Sequence, residues 1–333
     1  MATIHELDNE KAYEAEVSQC IRVTGYHHWF FLSAMADAFD LKFQSFAVES
    51  EGERLGVVPL LFRRRGPLST VNLLPIGYIG PLIRGDALRA GRLAEMVTAV
   101  EPVLRRQRAT ITRWGFSPGL DVSAEQLALQ GFEVSGFDNY IIPGTRSLDD
   151  CLKAMARKRR QSIRHNEVLG LHATESSMEE IKEWFPAQIV ELYRRQGTPS
   201  PYPLIAARKL TERLAGDPRI LWRTVKQTHG EVVGMTGSII GDDRLWFWLL
   251  AGAPSPGASP QTLCYWDLLK WCVSAGLTLD SGGAPNEEIR RFKVSIGAEL
   301  ETCVTAVRMR PKAAYKVGRT LYDWTLARRR VSD

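Results

Sequence analysis

Apolar positions recur at helical spacing through Trp29, Phe30, Leu32 and Met35, then give way to the alternating run FQSFAVES and a second run, LGVVPLLFRRR. The acidic turn SEGER between these runs predicts a hairpin. Next come LSTVNLL, a Gly/Pro-rich stretch PIGYIGPLIRG, an amphipathic helical pattern from Ala87 to Arg106, and the β-like ATITRWGF. The segment AEQLALQGFEVSGFDNYIIP reads as short helix, glycine turn and strand.

After Pro143-Gly144, the residues Ser147, Leu148 and Asp149 form a helix-start signature, which runs into the helix DDCLKAMARKRRQSIRHNEVLG and the strand LHATESS. Helices over Met178–Arg195 and Leu204–Ala215 follow, separated by the proline-broken loop QGTPSPYP. The strands ILWRTVKQ, VVGMTGSII and RLWFWLLAG lead to a helix TLCYWDLLKWCVSAG, a strand LTLDSGG, a short helix EEIRRFKVSIG and a strand ELETCVTAVRM. Both halves therefore share one order: helix pair, antiparallel hairpin strands, helix, strand, helix, strand. A duplicated α+β unit accounts for this, with domains over 1–145 and 146–333.

A length of 333 residues suits two domains, and 44% hydrophobic with 24% charged residues is the composition of an ordinary globular protein. The longest apolar stretch, Leu245 to Ala253, is far short of the ~20 residues of a membrane helix, and the start, MATIHELDNEKAYEAE, has no basic-then-apolar leader. The expectation is a cytoplasmic protein with no integral membrane segment. Cys20, Cys151, Cys264, Cys272 and Cys303 are scattered without metal-ligand spacing, so neither a disulfide framework nor a metal site is expected. The net charge of +5 permits an anionic partner without requiring one.

No GxSxG elbow, phosphate loop of the GxxxxGK[ST] type or GxGxxG turn is present, which sets aside serine hydrolases, NTPases and dinucleotide oxidoreductases. The segment Lys153 to Arg164 carries six cations and no acid. On one helix Lys153, Arg157, Arg160 and Arg164 fall along a single face, either a phosphate-holding stripe or a solvated surface. A second basic set, Arg308, Arg310, Lys312, Lys316, Arg319 and Arg328–Arg330, interleaves with Tyr315, Tyr322 and Trp324. It suits a nucleic-acid backbone or a docked terminal helix. The most specific signal is Asp280-Ser-Gly-Gly283, a strand end open to close backbone approach, followed by a helix that brings Phe292 and Lys293 back to it. There Lys293 can steady an oxyanion or clamp phosphate, or be a surface residue beside a core phenylalanine.

At these residues the chain resembles the Fem family, the FemABX-like transferases and the related FemAB-like acyltransferases of polysaccharide systems. The matching features are the D-x-G-G strand end, the FKxxxGAEL run, and K-R-R-x-x-I-R-x-N-x-x-x-G-L from Lys158 to Leu171. Looser matches are Tyr193-Arg-Arg-Gln-Gly197-Thr198-Pro199, and an early H-x-W followed by GERLGVVPLLFRRR with GYIGPLIRG. The resemblance implies an α+β fold of two tandem GNAT domains packed side by side, and transfer of an acyl group, typically an amino acid on tRNA, to an amine of a peptidoglycan precursor without a metal. It implies Lys293 and the Phe292 carbonyl as catalytic groups. Asp280, Gly282, Gly283, Arg291, Trp246, Trp248 and Tyr193 are the implied substrate contacts, and Arg157, Lys158, Arg160 and Arg164 the implied tRNA phosphate contacts. Where members of the family use a tyrosine on the central strand, this chain has Trp246, Phe247 and Trp248. Trp246, Trp248, Tyr265 and Trp266 line an acceptor site or belong to the core.

Two donors fit the resemblance. Aminoacyl-tRNA needs only proximity, oxyanion stabilisation and an outlet for the amine proton, and the acceptor is then an amine-bearing metabolite or cell-wall precursor. An acyl-CoA donor calls for consecutive N–H groups at a helix start, as in [QR]xxGx[GA]. The corresponding loop, Ala253-Pro-Ser-Pro-Gly257-Ala-Ser-Pro260, loses three donors to proline. No cofactor besides the donor substrate is expected. A binding module that uses the same basic face on nucleic acid or anionic lipid is the non-enzymatic alternative.

Overall fold

The computed structural model describes residues 2–66, 68–87, 92–255, 257–284 and 286–310. The basic and aromatic residues expected to act beyond Arg310 lie outside these. The first half runs β1 (Thr3–Glu6), α1 (Glu10–Val17), a 3-10 turn (Gly25–His27), α2 (Trp29–Phe39), β2 (Lys42–Ser50), β3 (Glu53–Arg65), β4 (Leu68–Val71) and β5 (Leu82–Ile83). It continues with α3 (Arg92–Ala99), α4 (Glu101–Arg106), β6 (Ile111–Gly115), α5 (Ala124–Leu129) and β7 (Glu133–Ile142). The second half opens with α6 (Leu148–Ala154), α7 (Arg157–Val168), β8 (His172–Glu175), a π-helical turn (Glu180–Trp184), α8 (Phe185–Arg195) and α9 (Leu204–Leu214). Then follow β9 (Ile220–Lys226), β10 (Val232–Ile240), β11 (Arg244–Gly252), α10 (Pro260–Ala275), β12 (Thr278–Gly283), α11 (Glu287–Ser295) and β13 (Glu299–Met309).

Two of the expected helices are broken, each for a local reason. The amphipathic pattern reaching Arg106 divides at Val100, where Pro102 starts a new first turn. The long helix expected after Ser147 divides at Met155, whose ψ of 141° is extended, and the carbonyls that end α6 are instead capped by the Arg160 guanidinium. The break turns α7 relative to α6, and Lys153, Arg160 and Arg164 line one cavity between the two helices and Trp266.

All strands join one sheet, in the order β1-β2-β3-β4-β6-β13-β7-β12-β11-β10-β9-β8, with β5 beside β3. β13 does not stay with the strands that precede it in the chain; it lies between β6 and β7, antiparallel to both. The duplicated plan is visible in the parallel pairs. β4 and β6 share only Thr70↔Ile111 and Val71↔Thr112, and β11 and β12 share only Arg244↔Thr278 through Trp246↔Asp280, before each pair parts. In the first half, residues 77–80 close that gap. They press so near β6 that a Cβ on Gly115 would lie 1.7 Å from the Gly77 carbonyl oxygen. In the second half, side chains fill it.

Three apolar clusters cover the sheet. One lies under α3 and α4, one under α6, α7 and α10, and the central one joins α1 and α2 of the first half to α8, α9 and β9–β11 of the second. The central cluster holds the halves together through apolar burial, worth ~25 cal/mol per Å².

Candidate active site

Where β11 and β12 part, β12 ends in Asp280-Ser-Gly-Gly283, and this end is closed by two side chains. Asp280, 1% exposed, accepts from the Gly282 N–H at 2.9 Å, folding the chain so that Gly282 takes a φ of +76°, a region open to glycine. Lys293, 4% exposed on α11, then donates to the carbonyls of Ser281, Gly282 and Gly283, the last two at 2.7 Å. Its three protons are thereby all engaged. Burial lowers the Lys293 ammonium to about 8, against the partial support of the Asp280 charge, and burial pushes the Asp280 carboxyl up to about 6.

Asp280 also anchors a polar row across four neighbouring strands. It accepts from Asn139 on β7 at 2.9 Å, and Asn139 reaches Glu301 on β13 at 3.2 Å. Glu301 holds Arg244 of β11 in a two-pronged pair at 2.7 and 2.9 Å. Arg244 approaches Asp280 at 3.5 Å.

On the α10 side of the parting, Phe247 stacks on Tyr265 at 4.8 Å, and Tyr265 packs against Phe292 at 5.1 Å. The Phe292 carbonyl is occupied by the Ile296 N–H and the Ser295 hydroxyl, both within its own helix end. Above Phe292, at 4.5 Å, lies the guanidinium of Arg159. It donates to Ser295 Oγ at 2.8 Å and Thr262 Oγ1 at 3.3 Å, and burial lowers its pKa. Among the described residues no carboxylate pairs with it. A half-buried guanidinium satisfied only by hydroxyls beside the start of α10 is an anion-binding arrangement. Sequence reasoning passed over Arg159 because helical spacing put it off the stripe.

The other expected residues distribute as follows. Arg157, Lys158 and Arg164 are exposed on α7 with no ion-pair partner among the described residues, whereas Arg160 turns inward to cap α6. Asn166, fully buried on α7, clamps Ser259, accepting from its N–H and donating to its carbonyl, both at 2.9 Å. Trp246 and Trp248 are core residues. Trp246 packs on Tyr78 and Tyr26 from the first half, and Trp248 donates to the Tyr202 hydroxyl at 3.2 Å. Tyr193 is half-buried against the same central cluster. Arg291 is exposed and paired with Glu287, away from the strand end. The phenols absent from β11 are thus present near it, contributed by the first half; sequence reasoning missed both, although Tyr78 lies in the GYIGPLIRG run that matched the family.

A sheet with two parting parallel pairs, each followed by a helix, decides the architecture. The chain has a tandem GNAT fold. Residues 151–293 match the family described as acetyltransferase (GNAT) domain, so the second half carries an acyl-transfer fold. Among solved structures, FemX superposes with a TM-score of 0.72 at 14% identity, over 94% of this chain and 99% of that one. A tandem GNAT protein from the clavulanic acid biosynthesis pathway superposes at 0.55 and 14% identity, over 92% and 98%. The C-terminal domain of a putative lysylphosphatidylglycerol synthetase from Agrobacterium fabrum superposes at 0.59 and 10% identity, over 92% and 94%. No curated protein matches the chain. Among the described residues no helix of this tandem GNAT chain is long and apolar enough to cross a membrane.

Proposed function

We propose that the protein is an aminoacyltransferase that moves an aminoacyl group from aminoacyl-tRNA to the amine of a peptidoglycan precursor or small metabolite. The observation that carries the choice of donor is the state of the β11–α10 loop. A CoA pyrophosphate is cradled by free N–H groups at a helix start. Here Pro254 and Pro260 have none, the Ser259 N–H is held by Asn166, and the Ala258, Thr262 and Leu263 N–H groups are bonded within the loop. The neighbouring α7 presents Arg157, Lys158 and Arg164 without an ion-pair partner among the described residues, with Arg159 behind them, which suits a polynucleotide backbone.

An aminoacyl ester is already activated, so the site has to position it, stabilise the oxyanion and dispose of a proton. Arg159 holds the terminal phosphate. Lys293 fixes the Asp280–Gly283 end, and it meets the acyl oxygen by exchanging one of its three carbonyl contacts. The GNAT domain match supports a second reading, an acyl-CoA-dependent N- or O-acyltransferase on a polysaccharide or lipid-linked precursor.

Affinity for total aminoacylated tRNA, competed by deacylated tRNA and by acetyl-CoA at two salt concentrations, separates the two. Preferential, salt-sensitive binding of charged tRNA is expected. Binding of acetyl-CoA with no affinity for tRNA overturns the proposal in favour of the second reading.

A further inference from the structure

Buried polar groups in folded proteins are nearly always bonded, and buried tyrosine hydroxyls usually find an acceptor. Tyr13, Tyr26 and Tyr202 obey this, each donating to a main-chain carbonyl at 2.6, 2.9 and 3.3 Å. Tyr78, 2% exposed, does not: its hydroxyl has only the Cys303 thiol, at 4.0 Å. Asn139, 0% exposed, spends both amide protons on Asp280 and Glu301 and leaves its Oδ1 without a partner. A phenylalanine at 78 would pack as well. Asn139 bonds the Asp280 carboxylate directly, and the Tyr78 ring packs at 5.4 Å on Trp246, the β11 residue paired with Asp280 across the sheet. The nearby cations are shared, Arg244 between Glu301, in a two-pronged pair, and Asp280, at 3.5 Å, while Lys293 is held by three carbonyls. The cluster reaches the surface at Phe137, half-buried and 5.8 Å from the Tyr78 ring. Two glycines flank it, Gly77 and Gly283, on either of which a Cβ would touch the Phe137 ring at 3.8 Å.

The Tyr78 phenol oxygen, the Asn139 amide oxygen and a carboxylate whose cation, Arg244, is shared with Glu301 are three acceptors, the complement of the three N–H donors of a primary ammonium group. We propose that Asp280, Asn139 and Tyr78 bind the acceptor's protonated primary amine, with Asp280 taking its proton, and this rests on the acyl-transfer function proposed above. Asp280 removes one proton from the ammonium while an N–H stays on Asn139 Oδ1. The nitrogen then forms the C–N bond to the acyl carbon as the ester C–O bond breaks. Tyr78 passes its phenolic proton to the departing oxygen and regains one from the nitrogen, and Asp280 releases its proton to solvent. Ammonium and ester become amide, alcohol and one free proton.

Methylamine and methanol, matched in size, serve as acceptor probes for the full chain. Methylammonium chloride is expected to raise the melting temperature beyond an equal concentration of potassium chloride, Asp280→Asn to abolish that rise, and methanol to give none. Tyr78→Phe is expected to melt within about 1 °C of the wild type. The same variant is expected to form aminoacyl methylamide from aminoacyl-tRNA about a hundredfold more slowly. An equal rise in Asp280→Asn, an equal response to methanol, or a destabilised Tyr78→Phe with unchanged methylamide formation overturns the assignment. Asp280-dependent methylamine binding with no methylamide from aminoacyl-tRNA would remove the donor and leave the amine site standing.

Discussion

Replacing Lys293 by Met tests the closed strand end through its pH dependence. The ammonium is 4% exposed and sits at about 8, below its ordinary 10.5. Between those values the unfolded chain binds the extra proton and the folded chain does not, so stability rises with pH across this window. A difference of about 2.5 units corresponds to about 3 kcal/mol at 1.36 kcal/mol per unit. Below pH 8 both states are protonated and the buried charge weighs on the fold in full. Other lysines and the tyrosines titrate alike in both proteins and cancel in the comparison. Urea unfolding of wild type and Lys293→Met at steps from pH 7 to 10.5 is therefore expected to show the wild type gaining on the variant by about 3 kcal/mol. Most of the gain falls above pH 8. A constant gap, or one that moves toward the variant with rising pH, would refute the buried, carbonyl-held ammonium.

Arg159→Ala is expected to weaken tRNA binding and to lower the slope of log affinity against log salt by about one phosphate contact, while Arg291→Ala, which removes only a surface pair with Glu287, leaves both unchanged in filter binding. Asn166→Ala strips partners from the N–H and carbonyl of Ser259, a loss of about 2–4 kcal/mol in urea unfolding; an unchanged midpoint would remove the clamp from the account. Gly115→Ala places a Cβ 1.7 Å from the Gly77 oxygen. It is expected to yield insoluble chain, and a soluble variant with wild-type melting would show that the closed gap in the first half yields.

Much of this was readable in the residues because it is local. The SEGER turn between two alternating runs is the β2–β3 hairpin, and the D-x-G-G strand end with its returning helix is β12 and α11. Periodicity names an element but not its neighbour, so ELETCVTAVRM announced a strand without revealing that β6 and β7 receive it. The helix break at Met155 depends on Arg160 reaching back to α6, a side-chain contact that spacing does not encode. For the same reason Arg159, not Arg160, is the guanidinium beside Phe292. Spacing alone favours a surface position for Lys293 and the family resemblance a place in the site, and its burial follows from three carbonyls converging on one point. Tyr78 and Tyr26 reach Trp246 only because the central cluster folds the first half onto the second.

The insertion of β13 also sets a clock on the ribosome. At ~5–20 residues per second, β13 leaves the ribosome roughly ten to thirty seconds after β7, its longer partner, has been made. Through that interval β6 and β7 have no strand between them, and each offers bare N–H and C=O groups of the kind that recruit other chains. The nascent protein is then a candidate for chaperone custody, and slowing translation would prolong its exposure rather than ease its folding.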